Sequence, residues 1–113
     1  MSKDPIDFSD FVKLDIALGT VTAVEIVPDA DKLLKLTVDV GEDVPRQIMS
    51  AIREYLDEPQ FLVGKQFPFL LNIPPRTIRG YESQGMILAA STDSDELALL
   101  EPSIKTPTGT RIM

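Results

Sequence analysis

The stretch LDIALGTVTAVEIV, residues 14–27, decides how this chain folds. Its apolar residues do not keep to one alternation. They run Ile16, Leu18, then Val21, Ala23, then Val24, Ile26, so the phase flips near Gly19 and again near Ala23. Strict period-2 alternation marks a straight, half-buried strand, and a flip marks an extra residue that bulges and bends it. A strand bent enough to serve two sheets is the device that closes a small barrel. The expectation is a long, bulged first strand.

The segments that follow alternate more simply. In LLKLTVDV (33–40), Leu34, Leu36, Val38 and Val40 point one way and Lys35, Thr37 and Asp39 the other. In QFPFLLNI (66–73), Phe67, Phe69, Leu71 and Ile73 share a face, and Pro68 restricts that end to an edge or a bulge. SQGMILAA (83–90) and ELALL (96–100) read as two further short strands. Between the third and fourth strands, Ser50–Leu56 offers the start of a helical turn, and Pro59 and Gly64 suit the first position and the end of a short helix. Five or six short strands with one helix after the third predict an all-β chain. The fold class is a five-stranded Greek-key OB barrel with one short helix between strands 3 and 4. An open sandwich is the alternative. The 113 residues suit a single domain, residues 1–113, with its core over about 8–112.

Absences narrow the function. There is no Cys and no His. This excludes disulfides, thiolate nucleophiles and zinc–thiolate sites, and removes the commonest general base. No catalytic residue, metal site or cofactor is expected. No apolar run approaches the ~20 residues of a membrane span, and the acidic, proline-interrupted start MSKDPIDFSDF reads as neither a signal nor a transit peptide. A cytoplasmic protein with no membrane partner is the expectation. Formal net charge is -7, with seven acids in the first 31 residues opposed only by Lys3 and Lys13. Loose attraction of nucleic acid to the whole surface is therefore not expected. Yet nothing between Pro59 and Tyr81 is acidic, and Lys65, Arg76 and Arg79 lie there. A localised basic site is compatible with this chain.

The motifs FVKLDIALGTV (11–21), VPDADKLLKLTVDVG (27–41), NIPPRTIRG (72–80) and SQGMILAA (83–90) together resemble the tRNA-binding OB domain family. That family includes domains appended to methionyl-tRNA synthetases, free-standing tRNA-binding proteins and a dimeric secretion chaperone. The resemblance runs from about Phe8 to Ile112. VPDADKLLKL and GMILAA look most like synthetase-type members, whereas DPIDFSDFVKLDI and PPRTIRGYES look more like the chaperone type. Two departures stand out. Ser50-Ala51-Ile52-Arg53 replaces the usual Ser-Gly-Ile-Arg, and Ala17 stands where many relatives carry Arg.

The resemblance implies a tRNA-binding set of Lys32, Lys35, Ser50, Arg53, Asn72, Arg76, Arg79, Ser83 and Met86. Each has a plainer reading. Asp29 and Asp31 of VPDADKL suit a turn, or an incomplete cation site. Lys32 and Lys35 are otherwise exposed lysines, and Ser50 an N-cap. PPRTIRG is either a soluble hairpin tip or a rigid loop holding Arg76 and Arg79 against phosphate or an unpaired base. Met86, sharing a phase with Leu88 and Ala90, is core or contact. Tyr81 and an edge of Phe67 are candidate stacking platforms. The implied partners are tRNA, a second copy in a homodimer and an aminoacyl-tRNA synthetase. An unfolded preprotein is the partner under the chaperone alternative. Leu97, Leu99, Leu100, Ile104 and Ile112, with Ile6, Phe8 and Phe11, are the apolar surplus that the dimer would cover.

Overall fold

In the computed structural model, which describes residues 2–113, β1 (Ile16–Ile26) is the strand around which the others are arranged. Its first half pairs with β4 (Gln66–Leu70) and its second half with β2 (Leu34–Asp39). The register slips between Val21 and Ala23, which is the bulge expected there. With β3 (Arg46–Ser50) beside β2 and β7 (Met86–Ile87) beside β4, the sheet order is β3-β2-β1-β4-β7, antiparallel throughout. The five strands curl into a nearly closed OB-type barrel. Two hairpins stand outside that sheet: β5 (Arg76–Ile78) with β6 (Tyr81–Ser83), and β8 (Ala89–Ser91) with β9 (Leu97–Leu99).

The barrel interior follows the alternation in β2 and β4: Leu34, Leu36, Val38, Phe67 and Phe69 are fully buried. β1 corrects the sequence reading in one respect. Its inward residues before the bulge are Ala17, Gly19 and Val21, not Ile16 and Leu18, which lie half-buried outside. There is one flip, at the bulge, and none at Gly19. The reason is volume. A Cβ on Gly19 would lie 2.6 Å from Cγ1 of Val38 and 2.9 Å from a Phe69 ring carbon. Val38, Val40 and Phe69 therefore leave no room for a side chain at Gly19.

Two short 3-10 turns, Arg53–Tyr55 and Pro59–Leu62, replace the single helix expected between β3 and β4. Pro59 starts the second, and Leu62 plugs the barrel with no exposed surface. One further helical turn, α1 (Phe8–Phe11), precedes β1. SQGMILAA is also divided rather than continuous. Ser83 ends β6, Gly85 turns the chain at φ 151°, and Ile87 rather than Met86 enters the core. Pro68 is tolerated inside the sheet because its side of β4 meets the break between β7 and β8. There its carbonyl accepts from the Leu88 N–H at 2.9 Å.

The seam between β3 and β7 is closed by the last residue of β6 and the one after it rather than by a regular ladder. Gln84 N–H donates to Gln47 O, Gln47 N–H to Gln84 Oε1, and Met49 N–H to Ser83 Oγ. At the opposite end, residues 109–112 run along the outer edge of β1 and bond Leu18 and Ile16.

Candidate nucleic-acid interface

The β5–β6 hairpin turns through two residues, Arg79 and Gly80, between the paired Ile78 and Tyr81. Both have positive φ, 52° and 84°. This is the arrangement of a type I′ turn, whose twist matches the strands it joins. Glycine suits it, and arginine does not favour the left-handed region. Below the tip, Ile78 and Tyr81 pack on a small cluster of Val27, Ala30, Leu33 and Met49, separate from the barrel core. That contact fixes the hairpin against the turn of VPDADKL. Arg79 consequently faces Asp29, Asp31 and Lys32 across a groove of about 370 Å³.

The other cations gather on the same turn. Arg53 donates from Nη1 to the Ala30 carbonyl (3.3 Å), and its backbone N–H donates to Lys32 O (3.2 Å). Lys35 lies on the outer face of β2, opposite Glu25 in register. Its ammonium meets the Glu25 carboxylate at 2.6 Å and sits 5.3 Å from the centre of the Tyr81 ring. The hydrogen bond to Glu25 raises the Lys35 pKa above the ordinary lysine value, against partial desolvation. Arg76, Ser83 and Met86 line a small pocket floored by Met49 and Gly85. Met86 is 42% exposed, which removes the core reading and leaves its thioether at a surface.

Three residues implied by the resemblance are used internally. Ser83 is buried, and its hydroxyl accepts from Met49 N–H and donates to Gly85 O. Asn72 turns to the chain entering β1, accepting from Asp15 N–H and donating to Lys13 O. Ser50 is buried at the end of β3, opposite Leu34, and caps no helix. Phe67 has no exposed edge and is not a stacking platform, whereas Tyr81 remains half-exposed beside Lys35. Sequence reasoning missed Arg46, Gln47 and Gln84, which tie the hairpin to β3. Arg46 also lines a groove of about 470 Å³ with Glu42, Val44, Ile73 and Pro75. Its guanidinium holds the Glu42 carboxyl below its ordinary pKa.

The distribution of unpaired charge is uneven. Five of the eleven Lys and Arg side chains sit in ion pairs among the described residues: Lys13, Lys35, Arg46, Lys65 and Arg111. Of the six that do not, four are Lys32, Arg53, Arg76 and Arg79. An acidic chain thus keeps most of its uncommitted cations on one hairpin and the turn beneath it. The exposed guanidinium groups of Arg76 and Arg79 can grip phosphate oxygens bidentately or lie on an unpaired base.

Known proteins agree with this architecture. The chain is 46% identical over 110 residues to the methionine–tRNA ligase of Methanococcoides burtonii, covering 97% of this chain and 16% of that protein. It therefore spans about one sixth of the length of that relative. Its backbone matches a methionyl-tRNA-synthetase-related protein from Pyrococcus horikoshii with a TM-score of 0.91 at 32% identity, covering 98% of this chain and all of the other. It also matches the chaperone CsaA of Bacillus anthracis with a TM-score of 0.85 at 31% identity, covering 97% and 100%. The family model described as a putative tRNA binding domain matches residues 16–111, nearly the whole barrel with its hairpins, and the chain belongs to that family.

Proposed function

We propose that this chain is a non-catalytic tRNA-binding module that recognises shape and backbone phosphates. The observation that carries the reading is the concentration of uncommitted cations, Lys32, Arg53, Arg76 and Arg79, around the β5–β6 hairpin of a barrel in this family. Tyr81 beside Lys35 adds a half-exposed ring on which a base can stack. Arg76 and Arg79 serve as phosphate contacts, with Lys32 and Arg53 at the rim and Met86 as an apolar contact. Ser50, Asn72 and Ser83 support the site from behind. The module works in the cytoplasm and supplies tRNA affinity to an aminoacyl-tRNA synthetase. The test is a titration with bulk tRNA at low and physiological salt. Binding that weakens steeply with salt supports the reading, and no binding at low salt ends it.

The module acts as a homodimer. Ile104 and Phe8 are 71% and 76% exposed, and Leu100 and Ile112 flank a shallow apolar depression beside Leu18 and Pro68. Light scattering at micromolar concentration should return twice the chain mass of 12.5 kDa. A monomer refutes the dimer and leaves the tRNA reading standing.

One observation favours a second reading, an export chaperone that holds unfolded polypeptide. The groove beside Arg46 is lined by Val44, Pro45, Leu71, Ile73 and Pro75, a surface suited to an extended apolar segment. Peptide binding without tRNA binding would put this reading first.

A further inference from the structure

The hairpin formed by β5 and β6 is a separate two-stranded sheet, and most of what joins it to the barrel is side chain. Across residues 72–84, one backbone hydrogen bond crosses to the rest of the described chain, from Gln84 N–H to Gln47 O at 2.8 Å. Beside the packing of Ile78 and Tyr81 on Val27, Ala30, Leu33 and Met49, the other hydrogen-bonded attachments are Gln47 Nε2 to Glu82 O, Gln47 N–H to Gln84 Oε1, Met49 N–H to Ser83 Oγ, and the Asn72 amide to residues 13 and 15. Arg46 completes the set in a particular way. Its Nη1 donates to Leu71 O (2.8 Å), just before the arm begins, and to Gln84 O (2.9 Å), where the arm ends. One nitrogen therefore buckles both ends of the arm. Nε and Nη2 meanwhile grip the two oxygens of Glu42 at 2.8 and 2.9 Å, so the carboxylate fixes the plane of the guanidinium.

We infer that Arg46, oriented by Glu42, is a positioning residue for tRNA binding: it sets where Arg76 and Arg79 stand without itself touching RNA. The inference rests on the tRNA reading above for its function and on geometry alone for its structural half. Lysine has a single nitrogen on a flexible stem and cannot hold two carbonyls and a carboxylate in one plane, so the site depends on arginine. The charge of Arg46 is already neutralised by Glu42, which makes it a poor phosphate ligand. Its value lies in geometry.

The experiment uses Arg46→Met and Glu42→Ala, each alone and each in an Arg76→Ala/Arg79→Ala background, at a temperature well below every melting transition. Arm order is read by trypsin cleavage at Arg76–Thr77 and Arg79–Gly80 in the chains that keep those arginines, and affinity by tRNA titration. Arg46→Met should be cut faster and should bind tRNA roughly tenfold more weakly, the size of one lost charged contact. That loss should vanish in the background lacking Arg76 and Arg79. If it persists there, Arg46 meets RNA directly and the inference is wrong. If the folded variant is cut and binds like the parent, Arg46 is merely structural and the inference is equally wrong.

Glu42→Ala keeps the arginine and serves if Arg46→Met fails to fold. Removing an acidic group should by charge alone tighten tRNA binding. Positioning predicts the reverse, weaker binding with faster cleavage, and tighter binding with unchanged cleavage overturns it. Should the parent chain bind no tRNA, the functional reading falls by itself, while the cleavage rates still decide whether Arg46 holds the arm.

Discussion

The β1–β4 wall and the β5–β6 arm are both antiparallel pairs, yet they are held by different physics. The wall pairs Ile16–Thr20 with Gln66–Leu70, and behind it Ala17, Phe67 and Phe69 have no exposed surface. The arm pairs three residues with three, and its strand residues are mostly exposed or half-buried, with Ser83 the buried exception. Only Ile78 and Tyr81 pack apolar surface, and they do so on the minor cluster under the VPDADKL turn. The wall is fixed by volume, the arm by hydrogen bonds from β3 and that one small apolar contact. Stability and recognition are thus separated along the chain, and substitutions in the two regions should affect different measurements.

The largest expected effect breaks the wall. Phe69→Ala removes a fully buried ring from the centre of the core and should cost about 3–5 kcal/mol of stability, read by denaturant unfolding. At a temperature where the variant is still folded, its tRNA affinity should match the parent. A selective loss of affinity would mean that wall and site are coupled after all. Next comes the arm. Arg76→Ala/Arg79→Ala should lower tRNA affinity and flatten the dependence of log K on log salt by about 1.4–1.8, at roughly 0.7–0.9 per phosphate contact. Neither side chain has an ion-pair partner among the described residues, so the melting temperature should stay nearly unchanged. Unaltered salt dependence would reduce NIPPRTIRG to a hairpin and move the chaperone reading forward.

The two regions were also unequally legible in the sequence. Period-2 alternation in LLKLTVDV and QFPFLLNI located the inward residues of β2 and β4, and the broken phase of residues 14–27 located the bulge. What misled was size. Ile16 and Leu18 are more apolar than Ala17 and Gly19, but at Gly19 the inward position had to be small because Val38, Val40 and Phe69 already fill that space. A strand read alone does not show the volume of its neighbour. In the arm, prolines, glycine and charge marked a turn with two arginines; Arg79 stands at its tip, and Arg76 lies in β5 opposite Ser83. The attachments of the arm left no trace in the sequence. Arg46, Gln47 and Ser83 act on backbone groups 25 to 38 residues away, and such bonds impose no local period. The resemblance implies Ser50, Asn72 and Ser83 as contacts; Ser50 and Ser83 are buried, and the exposed Asn72 bonds the chain entering β1.

Met86 sharpens the boundary between the regions. The alternation of SQGMILAA leaves open a place in the core, but the chain turns at Gly85 and Ile87 takes the buried position. Met86→Ala should therefore cost about 1 kcal/mol or less, as for a partly exposed side chain. If Met86 packs against a bound base, tRNA affinity should fall by more than stability does, compared by titration and thermal melting. A loss of about 3 kcal/mol in stability would return Met86 to the core side of the boundary.

The smallest effect is the most discriminating, because the two measurements should move in opposite directions. Arg79 occupies the first central position of its turn at φ 52°, a left-handed conformation that a long side chain adopts at some cost. Asparagine tolerates that region and is among the residues preferred before glycine in such a turn. On stability alone, Arg79→Asn should improve the arm by about half a kcal/mol, which is small but measurable as a rise in melting temperature. No internal hydrogen bond or ion pair of the described chain is lost, since Arg79 makes none there. Its side chain lines the groove shared with Asp29, Asp31 and Lys32. If that groove receives a phosphate, the same variant should bind tRNA more weakly, and the salt dependence should fall by about 0.7–0.9, one contact. A chain that is firmer and binds less well would show that Arg79 stands in a disfavoured conformation for what it touches outside the fold. A chain that is firmer and binds equally well would leave Arg76 alone to carry the arm's contact.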